Sequence, residues 1–360
     1  MPEKREEKGF VSTFGLGFSF AGCFLGAGYV SGRELWQFFG KYGVWGFAGL
    51  AVSLVLLFLL GAVTLLLTFR SGETELSELV IPWELPRLKG FVSVFTLIFL
   101  FGITCIMTAG VSALAKQAFF LPKGPSGFAF SLLIAVLTLT GLEGMITAFS
   151  AIVPVLTVST AALCIFACFR LPASTGLSNP GTSSSFGALL FSAVVYAAYN
   201  MYGSVAILAP FGERLKDRKT LWGGLLLGTL LLLLIAAPIL IVLLLHPEMT
   251  GEELPMLAVA MALSPGLGRG FALLLFLAML GTAFSCFLTA FTQIRELVPL
   301  FGRHERLSVF LLSLLLWFGS LFGFGRLIDL IYPVFGIIGS FFLACLVIKY
   351  RMFRKRRDDC

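Results

Sequence analysis

Few residues in this chain can do chemistry, and the densest group of them lies between Gly22 and Glu34. The stretch reads G-C-F-L-G-A-G-Y-V-S-G-R-E. Glycine weakens a helix and lets another group approach the backbone closely. Ser31 and Glu34 have the S-x-x-E spacing of a capping box, which is a helix-start signal. The spacing predicts a helix that stops near Gly26 and restarts near Ser31. A second group, Y-N-M-Y-G-S from Tyr199 to Ser204, places Asn200, Gly203 and Ser204 as interruptions in another apolar segment. Helices restarting from Ser31 and from Ser204 would present free N–H groups and a positive dipole end, which suit a carboxylate. Helices ending near Leu25 and Tyr199 would leave free carbonyls, which suit a cation. Such a site can hold a zwitterion with a metal ion nearby. Glu34 reads either as the capping partner of Ser31 or as a titrating carboxylate. The glycines also admit a plainer reading, as close-packing residues between helices.

These groups need elements that hold them in place, and composition says what kind. Of 360 residues, 58% are apolar and only 12% are charged, against about 25% charged in soluble chains. Mean hydropathy is +0.98. That excludes a soluble enzyme, a nucleic-acid binder and a disordered chain, and predicts an all-α polytopic membrane protein. The net charge of +7 lies in short loops and in the tail Lys349–Arg357, beside apolar runs. That placement is an orientation signal, so no nucleic-acid partner is expected. Six of the seven cysteines lie inside apolar runs, and no His or second Cys pair completes a metal set around Cys164 and Cys168. No H-E-x-x-H or Ser/His/Asp set appears, so neither catalysis nor an organic cofactor is expected.

Ten spans are predicted, at 11–39, 44–69, 91–115, 126–142, 146–169, 186–211, 221–245, 270–294, 307–324 and 327–349. The segment 252–264 is too short to cross a bilayer and reads as a re-entrant or surface helix. With the N-terminus inside, 19 of the 26 Lys and Arg residues fall on the inner side and 7 on the outer. That bias places both termini in the cytoplasm and the chain in the cell membrane. The predicted divisions are an N-tail over 1–10, a first five-helix repeat over 11–170, a second over 171–349, and a basic C-tail over 350–360. An odd number of spans per half makes the repeat inverted. Trp45-Gly46 and Trp222-Gly223 open spans 2 and 7, and Pro154-Val155 and Pro333-Val334 sit in spans 5 and 10. Spans 1 and 6 are predicted to be broken at matching depth, which is a pointer to a binding site.

GAGYVSGRELWQFFGKYGVWG in span 1 and YNMYGSVAILAPFG in span 6 resemble the YkvI-like membrane proteins. That group is classed with amino-acid permeases of the amino acid–polyamine–organocation (APC) superfamily. The resemblance runs through all ten spans in order. It implies the LeuT-type fold of five plus five inverted helices, and a substrate carboxylate met by backbone around Gly26, Ala27 and Gly28. Ser31, Tyr199, Asn200, Tyr202, Gly203 and Ser204 would complete the lining. It further implies a sodium ion at the carbonyls of Gly22 and Leu25, with hydroxyls from Thr282 and Ser285 in span 8. If sodium is not used, Glu34 becomes the proton-coupling candidate. The expected activity is secondary active transport of a small amino acid or related zwitterion by alternating access. The alternative is a non-transporting receptor of the same fold, like germinant-receptor subunits. Asp329, Glu143 and Glu296 are expected to be solvated or interfacial.

Overall fold

The computed structural model describes residues 10–73, 76–81, 85–140, 152–173 and 186–358. The N-tail before residue 10, the inner turn carrying Glu143, the first residues of span 5 and the loop 174–185 lie outside the described residues. Everything regular among the described residues is helical. Span 1 comprises α1 (Thr13–Phe24), α2 (Ala27–Val30) and α3 (Arg33–Phe38). Then follow α4 (Gly46–Ser71), the short α5 (Leu76–Val80), α6 (Pro86–Phe119), α7 (Lys123–Leu139) and α8 (Ile152–Arg170). The second half holds α9 (Phe186–Glu213), α10 (Arg218–Leu245), α11 (Pro255–Leu263), α12 (Pro265–Leu297), α13 (Pro299–Arg303), α14 (Glu305–Ser320) and α15 (Phe324–Asp358). Six of these helices are long and apolar enough to cross a membrane, and shorter apolar helices accompany them. The chain is a multi-pass membrane protein, and the helices follow the predicted spans closely.

Local chemistry sets the helix ends. Ser12 caps α1 by accepting from the Gly15 N–H (3.0 Å), and Asp217 caps α10 by accepting from Thr220 N–H (2.7 Å). That backbone bond holds the Asp217 carboxyl below the usual carboxylate range. Proline opens α6, α11 and α12, where its missing N–H is no loss.

Span 6 (α9) packs along span 10 (α15), and four further pairings follow a two-fold pattern. Span 6 (α9) lies along span 2 (α4), and span 1 (α1) lies along span 7 (α10). Span 3 (α6) packs on span 8 (α12), and span 4 (α7) on span 9 (α14). Exchanging spans 1–5 with 6–10 maps each of these four pairs onto another or onto itself. Glycines make the closest approaches possible. A Cβ at Gly228 would sit 2.7 Å from the Gly17 carbonyl, and one at Gly336 would overlap the Val195 carbonyl.

Three expectations need correction. The predicted break in span 6 is absent, because α9 runs unbroken through Asn200–Ser204. Its polar side chains serve their own helix. Asn200 Nδ2 donates to the Tyr196 carbonyl (3.1 Å), and Ser204 Oγ donates to the Asn200 carbonyl (2.8 Å). The space beside Gly203 is filled by the Phe99 ring. The break in span 1 is present but earlier than predicted. Helix α1 ends at Phe24 and helix resumes at Ala27. A second turn follows at Gly32, whose φ of +79° is a conformation that glycine adopts without steric cost. The Ser31–Glu34 capping box does not form: Ser31 Oγ donates to the Gly28 carbonyl (3.1 Å) and accepts at 3.5 Å from the Arg33 N–H instead of the Glu34 N–H, and the Glu34 carboxylate turns inward to Tyr199. The 252–264 segment does contain a short helix, α11. It is largely buried and tied to the break by a bond from Met256 N–H to the Ser31 carbonyl (2.9 Å).

Orientation is directly measurable. Reporter fusions at Lys123 should read outside and fusions at Lys216 inside, as the 19 to 7 charge split requires. The reverse result at either site would invert the bundle.

Candidate functional site

The break in span 1 leaves backbone groups bare. The Leu25 N–H still reaches the Ala21 carbonyl (3.0 Å), and Gly26 N–H turns to the Phe24 carbonyl (2.7 Å). The carbonyls of Gly22, Cys23 and Leu25 and the amides of Ala27, Gly28 and Tyr29 have no hydrogen-bond partner among the described residues. Inside a membrane such groups persist only where protein or a cavity surrounds them. A Cβ at Gly26 would meet nothing within 4 Å, so open space adjoins the backbone there. Gly26 has an ordinary extended backbone (φ −78°, ψ 171°).

Gly28 is different. A Cβ there would overlap the Glu34 carboxylate, so glycine at 28 is what lets that carboxylate lie against the backbone. Glu34 is 4% exposed. Tyr199 O–H donates to Glu34 Oε2 (2.5 Å), and Tyr332 is its second hydrogen-bonding neighbour. The rings of Tyr199 and Tyr332 stack at 4.4 Å, with Phe38 stacked on Tyr199 at 5.6 Å and Tyr196 edge-on to it. The Tyr29 hydroxyl, also buried here, donates to the Leu232 carbonyl (2.8 Å). The Tyr196 hydroxyl is buried and makes no hydrogen bond of normal geometry, with Asn200 its nearest polar neighbour. Among the described residues no Lys, Arg or His pairs with Glu34. Its neighbour Arg33 turns outward to Asp329 (2.8 Å) and the Thr250 carbonyl (3.5 Å). A buried, uncompensated carboxylate is costly in a bilayer and is a functional signal.

The other sequence candidates divide around this centre. Gly26, Ala27, Gly28 and Ser31 lie at the break. Tyr199 reaches in, and Ser204 faces Cys23 from α9. Tyr202 points elsewhere. Its hydroxyl is 2.7 Å from Thr96 Oγ1, and its ring packs with Phe95, Phe99 and Phe342. Helix α12 packs on α2. There Thr282 Oγ1 donates to the Ala278 carbonyl (3.1 Å) and Ser285 Oγ to the Gly281 carbonyl (2.9 Å), which leaves oxygen lone pairs on both. Tyr332, Tyr196 and Phe38 were not foreseen. Their signal was aromatic hydroxyls and rings within the apolar spans that flank the break.

The end of the bundle beside α3 and α11 is closed by polar ties. Asp329, expected to be solvated, pairs with Arg33. Lys123 pairs with Glu253, whose other oxygen accepts from the Phe324 N–H (3.1 Å). On the opposite side Lys349 binds Glu73 (2.7 Å) and Lys89 binds Glu78 (2.6 Å).

Solved structures with this arrangement exist at low sequence identity. A nucleobase-cation-symport-1 family transporter, Mhp1, solved in a closed conformation with bromovinylhydantoin bound, superposes with a TM-score of 0.55 at 14% identity. The match covers 93% of this chain and 78% of that one. A manganese transporter of Eremococcus coleocola gives 0.53 at 15% identity, covering 89% of this chain and 72% of that one. The chain has the LeuT-type fold. In sequence it is similar to the uncharacterized membrane protein YkvI of Bacillus subtilis (strain 168), with 25% identity over 350 residues, 96% of this chain and 97% of YkvI. The uncharacterized protein YyaD of the same organism is 25% identical over 349 residues, 91% of this chain and 94% of YyaD. No family model matches the chain.

The Gly28–Glu34 contact is testable by a double-mutant cycle. Gly28→Ala should cost about 1–3 kcal/mol through overpacking, read as a lowered melting temperature. In a Glu34→Ala background the same change should cost little, because the atoms it strikes are gone. Equal costs in both backgrounds would show that the contact is not made.

Proposed function

We propose that this chain is a secondary active transporter that moves a small amino acid or related zwitterion across the cell membrane by alternating access. The observation that carries the reading is the break at Leu25–Gly26, where open space meets free amides, free carbonyls and a buried carboxylate. A zwitterion supplies both charges that such a site can use. The Glu34 carboxylate already fills the space beside Gly28. The ligand's own carboxylate is therefore assigned to the Gly26 and Ala27 side, and the carbonyls of Gly22 and Leu25 to one cation, either a sodium ion or, where sodium is not used, the ligand's ammonium. The solved transporters of this fold support movement of a small molecule rather than catalysis.

The sequence offers a sodium seat at Gly22, Leu25, Thr282 and Ser285. Thr282→Ala should weaken any sodium dependence of ligand binding more than it harms folding. Ligand binding that ignores sodium removes this seat.

The substrate test is a thermal-shift screen of purified protein against amino acids, with and without sodium, followed by uptake into proteoliposomes. Ligand at 100 times its Kd should stabilise by about 2.7 kcal/mol. An amide of the best ligand should bind at least ~10-fold more weakly than the acid, since hydrogen bonds to a charged group are worth about 1.5–3 kcal/mol. Gly26→Val adds bulk to open space in a permitted conformation. It should abolish binding while leaving the protein folded. Normal binding by that variant would move the site elsewhere, and binding without uptake would assign the chain to the receptor alternative.

A further inference from the structure

We infer that Glu34 is a proton-binding site whose loading and release accompany closing and opening of the bundle, so that the proton is the coupling ion. Its place in a transport cycle rests on the function proposed above, whereas the proton site itself does not.

Three other roles for a buried carboxylate fail on geometry. A structural ion pair needs a cation, and among the described residues none pairs with Glu34. Arg33 is spent on Asp329 and Thr250. A ligand's ammonium needs volume beside the carboxylate. One oxygen lies against Gly28, the other takes the Tyr199 hydroxyl, and the stacked Tyr199 and Tyr332 rings cover the group. A metal ion needs several oxygen lone pairs turned toward it, whereas the Tyr199 hydroxyl presents its hydrogen to the carboxylate. A proton needs no volume and no further ligands.

The surroundings suit the neutral acid as well as the carboxylate. Tyrosine hydroxyls both donate and accept, so when Glu34 gains a hydrogen one of Tyr199 and Tyr332 can turn to accept it while the other goes on donating. The groups that face it are Tyr29 from α2, Tyr196 and Tyr199 from α9, and Tyr332 from α15, behind which lies Cys286 of α12. Tyr196 holds a spare buried hydroxyl in this stack. The step is simple: the carboxylate takes one proton from a hydronium ion, so that one O–H bond of hydronium breaks, one O–H bond forms on the carboxyl group, and a neutral water is left. Tyr332 lies one turn along α15 from Asp329, which is exposed near the start of that helix. The neutral acid tolerates the closed aromatic cover, while the carboxylate favours water. Loading therefore favours the closed state and release favours opening.

The test uses the proton itself as probe. Infrared difference spectra of the purified protein between acid and alkaline buffer should show the carbonyl band of a buried carboxylic acid, and Glu34→Gln should remove it. Tyr199→Phe and Tyr332→Phe should shift the band and its titration midpoint without removing it, which keeps the test valid if Glu34→Gln folds poorly. In proteoliposomes with an imposed pH gradient and a radiolabelled mixture of the twenty amino acids, the wild type should accumulate label. Glu34→Gln should keep counterflow exchange and lose accumulation. No such band in the wild type, or the same band in Glu34→Gln, overturns the proton site. Equal accumulation by wild type and Glu34→Gln overturns the coupling role. A band lost in Glu34→Gln in a protein that moves no amino acid leaves the proton site standing and refutes the transport reading.

Discussion

An interrupted helix inside hydrocarbon is the constraint around which this bundle is arranged. Each backbone group left bare there costs on the order of several kcal/mol unless something covers it. Placing Glu34 beside the interruption adds a charge to that cost. The neighbouring helices answer with specific contacts. Helix α9 supplies Tyr199 to the carboxylate and Ser192 to the Phe38 carbonyl (2.8 Å), and α10 accepts the Tyr29 hydroxyl at Leu232. Helix α15 brings Tyr332 and, one turn outward, Asp329 for Arg33. The short α11 folds in from the loop after α10 so that the Met256 N–H can bind the Ser31 carbonyl. Loss of the interruption would leave these contacts without a purpose, and loss of the contacts would leave the interruption without support.

Much of this was legible in residues 22–34. Glycine density announced the break, and the length of the apolar runs announced the helices, because both follow from short-range physics. The failures came where the partner was far away in sequence. Asn200, Gly203 and Ser204 looked like an interruption, yet i−4 bonding in α9 satisfies the two polar side chains and Phe99 packs on the glycine. Local pattern cannot distinguish a polar side chain that breaks a helix from one that bonds back to it. Ser31 and Glu34 had capping spacing, but the turn at Gly32 lets Glu34 swing inward to tyrosines more than 160 residues along the chain. Tyr332 sat unnoticed in span 10 because nothing near it in sequence marks it as a carboxylate's partner.

The packing keeps the two-fold pattern of the repeat, but the site does not. Span 1 along span 7 mirrors span 6 along span 2, and spans 3 and 8 face each other as 4 and 9 do. Of the paired spans 1 and 6, span 1 is broken and span 6 is not. Between these two spans, the bare backbone therefore lies in span 1. The other half contributes side chains, chiefly the phenols of Tyr199 and Tyr332. Bonds from those phenols to Glu34 cross between the halves, as does the Arg33–Asp329 pair above them. Any rocking of spans 1–5 against 6–10 must stretch or exchange these bonds. A carboxylate gains water when that motion opens the site, whereas a carboxylic acid among the same phenols loses little by staying under the aromatic cover. The protonation state of one side chain can thus set how firmly the two halves are tied, without any change in the apolar packing that surrounds them.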